Sequence, residues 1–240
     1  MAHAAYDEIA EWYERTFLAG RRVQRDGGDP LGIVRALEEW LGGGVGPCLD
    51  IGCGTGVFAA RIRELGWEPV GVDLSGGMLR YAVNRLPVVR ADAGVLPIRD
   101  ASVAAAVAIM VHTDMPDYMS VVAEVARVLR PGGRFVHIGV HPCFCGGFAD
   151  RSNAEAIVIR PGYAETHWTK ASWTDRGLRD KVRATHLPLP RLLRIFVDNG
   201  LVLDDFVEGG VPIPTMLAVQ AHRSCSITFA TDDMSVSLME

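Results

Sequence analysis

The sequence predicts a three-layer α/β fold: a seven-stranded, mostly parallel sheet with an antiparallel last strand and helices on both faces. Three observations predict it. Short apolar, β-branched runs alternate along the chain with stretches of helical period. One run ends in an acid and passes through a glycine turn into a helix, at Cys48-Leu49-Asp50-Ile51-Gly52-Cys53-Gly54-Thr55-Gly56. The 240 residues, 49% of them apolar, suffice for one α/β domain with a sizeable core.

The elements follow in order. Tyr6, Ile9, Ala10, Tyr13 and Phe17 recur at helical spacing, so a helix is predicted over Tyr6 to Phe17. A polar segment over Gly20 to Asp29, a loop or an irregular helix, separates it from a second helix, Pro30 to Leu41, with proline in its first turn and Gly42 to Gly44 beyond its end. The glycine turn leads into a helix over Val57 to Leu65. Glu68 to Val72 is a second strand ending in Asp73, and Ser75 is placed to cap the helix after it. Val88 to Ala93 is a third strand and turn, and Ser102 to Val111 a buried central strand of small and β-branched residues. Tyr118 to Leu129 is an amphipathic helix stopped by Pro131-Gly132-Gly133, and Arg134 to Val140 is the next strand. His141 to Trp173 reads as irregular. A helix over Leu189 to Asn199 and an antiparallel pair, Val202 to Glu208 with Met216 to His222, complete the core. The expected layout is one domain over 1–240: N-terminal helices to 45, a core over 46–222 with an insertion near 141–188, and a tail over 223–240. The tail reads either as a disordered end or as a strand seeking a partner.

Composition excludes some functions. The net charge is −5 with no block of Lys or Arg, so nucleic acid is not an expected partner. No apolar run approaches the roughly 20 residues needed to span a bilayer, and no signal core follows Met1, so a cytoplasmic protein off the membrane is expected. Five cysteines, unevenly spread, fit reduced thiols.

A dinucleotide fingerprint spaces its glycines G-x-G-x-x-G, whereas here the third arrives one residue early, at Gly56. With Asp50 before it, the turn resembles the first motif of Rossmann-like, class I S-adenosylmethionine-dependent methyltransferases. The helix–Leu129-Arg130-Pro131-Gly132-Gly133–strand string and Asp92-Ala93-x-x-Leu96-Pro97 resemble the same family, within it the small-molecule, type 11, ubiquinone-biosynthesis-like group. The chain departs from the pattern at Val103-Ala104, where an aromatic–acid pair usually opens the strand.

The resemblance implies S-adenosylmethionine as cofactor, S-adenosylhomocysteine as product and a small-molecule acceptor, such as an intermediate of secondary metabolism. It implies that Asp50, Gly52, Cys53 and Gly54 wrap the methionine part, that Asp73 bonds the ribose, and that Leu74 and Met78 sandwich the adenine. Asp92 and Ala93 then meet the adenine edge, and Met110 stands at the end of the central strand. The Tyr-Asp-x-Ile-Ala-x-x-Tyr pattern is similar to N-terminal lid helices, which would put Tyr13 near the cofactor carboxylate; equally, the helix could simply cover the sheet. Leu74 and Met78 read equally as core, and Asp92 as a turn cap.

Methyl transfer from a sulfonium needs a base only for a protonated acceptor. His112, after the fourth strand, is the first candidate base and His141 the second, with Asp114 placed to orient either. His112 could also just shape the pocket. Phe144, Tyr163, His167 and Trp173, with His112 and His141, are expected to line the acceptor pocket; Phe148 and Trp168 add to an aromatic, flat character. His141, Cys143 and Cys145 are zinc-ligand types, but no fourth partner beyond a distant His167 is evident, so no metal is expected. Two rival functions stand beside methyl transfer: an NAD-dependent oxidoreductase on a related fold, and a cofactor-binding protein without catalysis. Monomer and homodimer stay open.

Overall fold

The computed structural model describes residues 4–19, 29–153, 156–170 and 177–225. Its centre is a seven-stranded sheet: β1 (Gly46–Ile51), β2 (Trp67–Asp73), β3 (Val88–Arg90), β4 (Val103–Ile109), β5 (Leu129–Val140), β10 (Leu201–Gly209) and β11 (Met216–Arg223). Across the sheet the order is β10-β11-β5-β4-β1-β2-β3. Neighbours from β3 to β5 pair in parallel. The last strand, β11, inserts between β5 and β10 and runs against both.

Helices cover both faces because the strands bury both. In β4, Ala105, Val107 and Ile109 pack on one side while Ala106 and Ala108 pack on the other, the period of two that a pleated strand imposes. The first side meets α2 (Ile33–Leu41). That helix buries Ile33, Ala36, Leu37, Trp40 and Leu41, a stripe at spacings of three and four. The carboxylate of Asp29 accepts the N–H groups of Ile33 and Arg35 at its start, so it begins later than Pro30. The same side takes Ile62 of α3 (Ala59–Glu64). The second side meets α5 (Tyr118–Val128), through Val121, Val122 and Val125, and α7 (Leu189–Asp198), through Leu192, Ile195 and Phe196. Asp117 caps α5 by accepting from Ser120 N, and α4 (Gly76–Ala82) is capped by Ser75, which accepts from Met78 N.

Two segments differ from the sequence prediction. The single N-terminal helix is instead a 3₁₀ turn over Ala5–Asp7, α1 (Ala10–Trp12) and a π-helical turn over Tyr13–Phe17. A wide turn of this kind re-aims side chains within a helical path, and here it stacks Tyr13 on Phe17 with ring centres 5.1 Å apart. The insertion is not wholly irregular. It folds into a hairpin of β6 (Ala149–Asn153) with β7 (Ala156–Ile159), then β8 (His167–Thr169) paired with β9 (Ala184–His186), with α6 (Leu178–Val182) between them. Most of the expected tail and of the Gly20 to Asp29 segment lies outside the described residues. Among the described residues, no helix is long and apolar enough to cross a membrane.

Candidate active site

Strand order turns back between β1 and β4, since β1 leads to β2 on one side and β4 lies on the other. In open α/β sheets, that switch point leaves a crevice at the carboxyl ends of the strands. A cleft of about 1050 Å³ lies there. Tyr13, Asp50, Gly52, Cys53, Gly54, Asp73, Leu74, Met78, Asp92, Ala93 and Met110 all border it.

The glycine turn is built by constraint. Gly52 has φ of +65°, and a Cβ there would stand 2.8 Å from Val111 Cγ1. Gly52 and Cys53 both donate their N–H to the Val72 carbonyl at the end of β2. Asp73 then holds the turn: Oδ2 accepts from Gly54 N at 2.8 Å and Oδ1 from Ser75 N at 2.8 Å. Each carboxylate oxygen retains a second acceptor direction. Burial pushes the Asp73 pKa up against these hydrogen bonds. Asp50 is 2% exposed, and its Oδ2 has no hydrogen-bond partner among the described residues. Burial first, and the Asp73 charge second, push its pKa up to about 7. An orphaned carboxylate oxygen in a cleft fits a cationic ligand, because an unpaired buried charge is costly. Met110 completes this wall with φ of +60°, a left-handed conformation rare for a side chain of its size.

The N-terminal segment closes over this floor through three polar ties. Asp7 Oδ1 accepts from Ser75 Oγ at 2.7 Å and from Gly77 N at 2.8 Å, at the start of α4. Glu14, 8% exposed, takes both guanidinium nitrogens of Arg85, and Arg85 Nη1 also donates to the Thr55 carbonyl in the glycine turn. Tyr6 donates its hydroxyl to Asp114 Oδ1 at 3.1 Å. Tyr6, Tyr13, Phe17 and Leu18 line the cleft from above.

The expected acceptor residues sit elsewhere. His112, the first candidate base, does not border the cleft. It is 2% exposed, and its ring lies 5.1 Å from His137, which bonds the Tyr118 hydroxyl at 2.7 Å. Burial, then the neighbouring His137, drive its pKa well below the ordinary value, so it is a neutral core imidazole. His141 is also off the cleft, bonded through Nε2 to Glu208 at 2.7 Å and through Nδ1 to Cys143 N. Phe144 packs on His141 with ring centres 4.7 Å apart. Tyr163 accepts from Leu189 N and stands 3.6 Å from Cys143 Sγ, while His167 stacks near His186. None of these three borders the cleft, and Trp173 lies outside the described residues. Chain position after a strand does not fix which way a side chain turns: His112 packs in the core beside His137 and Tyr118, while Phe144 packs on His141 and Tyr163 and His167 pack near His186.

The cleft is bordered also by Leu31, Val34, Arg151, Trp168 and Val182, away from the glycine turn in sequence. Asp114, expected to orient a histidine, borders the cleft and pairs with Arg179, which is 4% exposed. Arg179 also donates to Thr113 Oγ1 at 3.1 Å. Tyr6 was visible in the N-terminal pattern, but nothing in the sequence around Arg179 marks it. Among the described residues, no three His, Cys, Asp or Glu side chains are grouped to hold a metal.

Comparison with known proteins agrees with this geometry. Residues 49–137 match the methyltransferase domain family model. The demethylmenaquinone methyltransferase of Tropheryma whipplei is 29% identical over 141 residues, 55% of each chain. The chain thus spans about half the length of the curated relatives it matches. An S-adenosylmethionine-dependent methyltransferase from Mesorhizobium loti shares the fold with a TM-score of 0.65 at 24% identity, covering 79% of this chain and 95% of that one. The [4+2]-cyclase SpnF shares it at 0.60 and 17% identity, over 94% and 98%. Residues 49–137 thus match a methyltransferase domain, the sheet has the Rossmann-like fold of the solved methyltransferase above, and the residues at its strand ends gather at one cleft.

Proposed function

We propose that the protein transfers a methyl group from S-adenosylmethionine to an apolar small-molecule acceptor. One observation carries the reading: the eleven residues that the family pattern marks for the cofactor border a single cleft. The cleft's volume, about 1050 Å³, exceeds the ~300–1000 Å³ of a single-ligand pocket, which supports two ligands side by side.

The roles follow from the geometry above. Asp73 would accept ribose hydroxyls on the lone pairs its backbone bonds leave over. Leu74 and Met78 would flank the adenine, with Asp92 and Ala93 at its edge. Asp50 supplies a carboxylate against the positive methionine end. The cofactor brings a methyl group already activated on a sulfonium, transferred by in-line displacement. The protein's own work is to hold the partners at near-attack distance and to exclude water beneath the N-terminal segment. The acceptor's apolar body would lie against Leu31, Val34, Val182 and Trp168. The aromatic acceptor of a natural-product pathway fits that wall.

The second reading is a protein that binds the cofactor without transferring its methyl group. It is kept because the same fold serves the [4+2]-cyclase, and a fold alone does not give a reaction. Titration calorimetry with S-adenosylmethionine, S-adenosylhomocysteine and NAD, followed by mass spectrometry of an acceptor panel, tests the proposal. Binding of both adenosyl compounds with a methylated product is expected. Binding of NAD instead overturns it, and adenosyl binding with no methylated product favours the second reading.

A further inference from the structure

The carboxylates around the cleft are not equivalent. Asp29 and Asp117 each use both oxygens at the start of a helix, and Asp73 uses both on backbone N–H groups. Asp50 and Asp92 stand at the ends of or just past β1 and β3, on the cofactor side. Asp114 alone of this set stands where three distant parts of the chain meet. It follows β4, takes the Tyr6 hydroxyl from the N-terminal cover, and pairs with Arg179 from the insertion. Both partners fall on Oδ1, leaving Oδ2 without a partner among the described residues. Asp114 borders the cleft with 15% of its side chain exposed, so one oxygen is anchored and the other is offered to the cavity.

We infer that the acceptor presents an O–H or N–H to Asp114 Oδ2, and that this carboxylate takes the proton as the methyl group is transferred. This rests on the proposed methyl transfer and names the acceptor class: an apolar molecule bearing a hydroxyl or an amine at the reacting atom. The acceptor's lone pair forms the bond to the methyl carbon and the carbon–sulfur bond breaks with its pair going to sulfur. The proton moves to Oδ2, so the positive charge lost at sulfur is matched by the negative charge neutralised on Asp114. Arg179 fixes the carboxylate through Oδ1 and favours its charged form against burial, and the Tyr6 bond holds its plane. Burial raises the Asp114 pKa from the ordinary carboxylate value, in the direction a proton acceptor needs. Among the described residues, no imidazole borders the cleft to compete with it.

The test is binding, with no turnover required. Protein saturated with S-adenosylhomocysteine is titrated with octylphenol and with its methyl ether, which differ by the donor alone. The space of the departed methyl is open in that complex, so size does not by itself exclude the ether. The phenol is expected to bind at least about tenfold tighter, the range of a hydrogen bond to a charged acceptor. Asp114→Asn should abolish the preference. If that variant fails to fold with Arg179 left facing an amide, Asp114→Glu keeps the charge, displaces the oxygens and should cut the preference severalfold. Equal affinities in the unmodified protein, no binding of either probe, or a preference that survives both variants overturns the inference. Failure of S-adenosylhomocysteine itself to bind, measured first, sinks the proposed function instead.

Discussion

The two halves of the cleft are built on different plans. The half proposed for the cofactor comes from one contiguous stretch: residues 50 to 110 place Asp50, the glycine turn, Asp73, Asp92 and Met110 at the ends of neighbouring parallel strands. The half proposed for the acceptor is assembled from pieces far apart in the chain. Tyr6, Leu31, Asp114, Arg151, Trp168 and Val182 meet only once the sheet has formed and the insertion has folded back on it. A backbone-defined site tolerates little change, because its geometry lies in turns and strand ends. A side-chain-defined site can be rewritten by substitution, which lets one floor serve many acceptors.

Three measurements break or sharpen that contrast. The largest effect is expected from Asp73→Ala, which removes two charged hydrogen bonds holding the glycine turn as well as the ribose acceptor. Affinity for S-adenosylhomocysteine should fall about a hundredfold by calorimetry, a loss of roughly 3 kcal/mol. An unchanged constant would mean the turn is held without it and would dissolve the distinction between the halves.

The next effect is a pH dependence. With Asp50 raised to about 7 in the folded protein, the native state holds an extra proton from about pH 4 to 7, so this group's contribution to stability falls as pH rises through that window. A cationic ligand binds the ionised form. Affinity for S-adenosylmethionine should therefore drop up to about tenfold per unit as pH falls below about 7, with proton release on binding. Calorimetry in buffers of different ionisation enthalpy reads that release, and Asp50→Asn should remove it. A flat profile would place the cation away from Asp50.

The smallest effect is expected at His112→Gln. The imidazole lies behind the cleft, so affinity for S-adenosylhomocysteine should stay within about twofold. Its signature is acid stability instead. His112 and His137, the latter lowered to about 3, are neutral when folded, so their contribution is present above about pH 6.5 and lost as pH falls toward 3. Removing one of them should flatten the acid limb of a melting-temperature profile. A large loss of binding would return His112 to the site.

How much was legible follows from the same contrast. Strand ends, glycine spacing and the acid after β2 are local signals, so the first strands and ten of the eleven residues named for the cofactor, all of which border the cleft, could be read from residues 48 to 110. The run of small and β-branched residues in β4 announced a strand buried on both faces, and it is one. His112, His141, Phe144, Tyr163 and His167 were placed by chain position, which says where a backbone passes but not which way a ring turns. Each turned toward other rings and backbone groups. Arg179 carried no signal because its meaning comes from Asp114, 65 residues away. The π-helical turn was hidden for a related reason: its apolar spacing is close to that of an α-helix, and only packing decides between them.

One guanidinium, that of Arg85, touches both Glu14 in the N-terminal segment and the Thr55 carbonyl in the glycine turn. It fastens the cover to the loop beneath it. Lifting the cover breaks that double attachment, and the loop loses its brace in the same event. Under the proposed function, residence time in the cleft is then tied to the rupture of this attachment together with the Asp7 and Tyr6 ties, and spent cofactor would depart on that schedule. In such an arrangement, departure can become the clock of the catalytic cycle, and a substitution at Arg85 would reset it without touching a reacting atom.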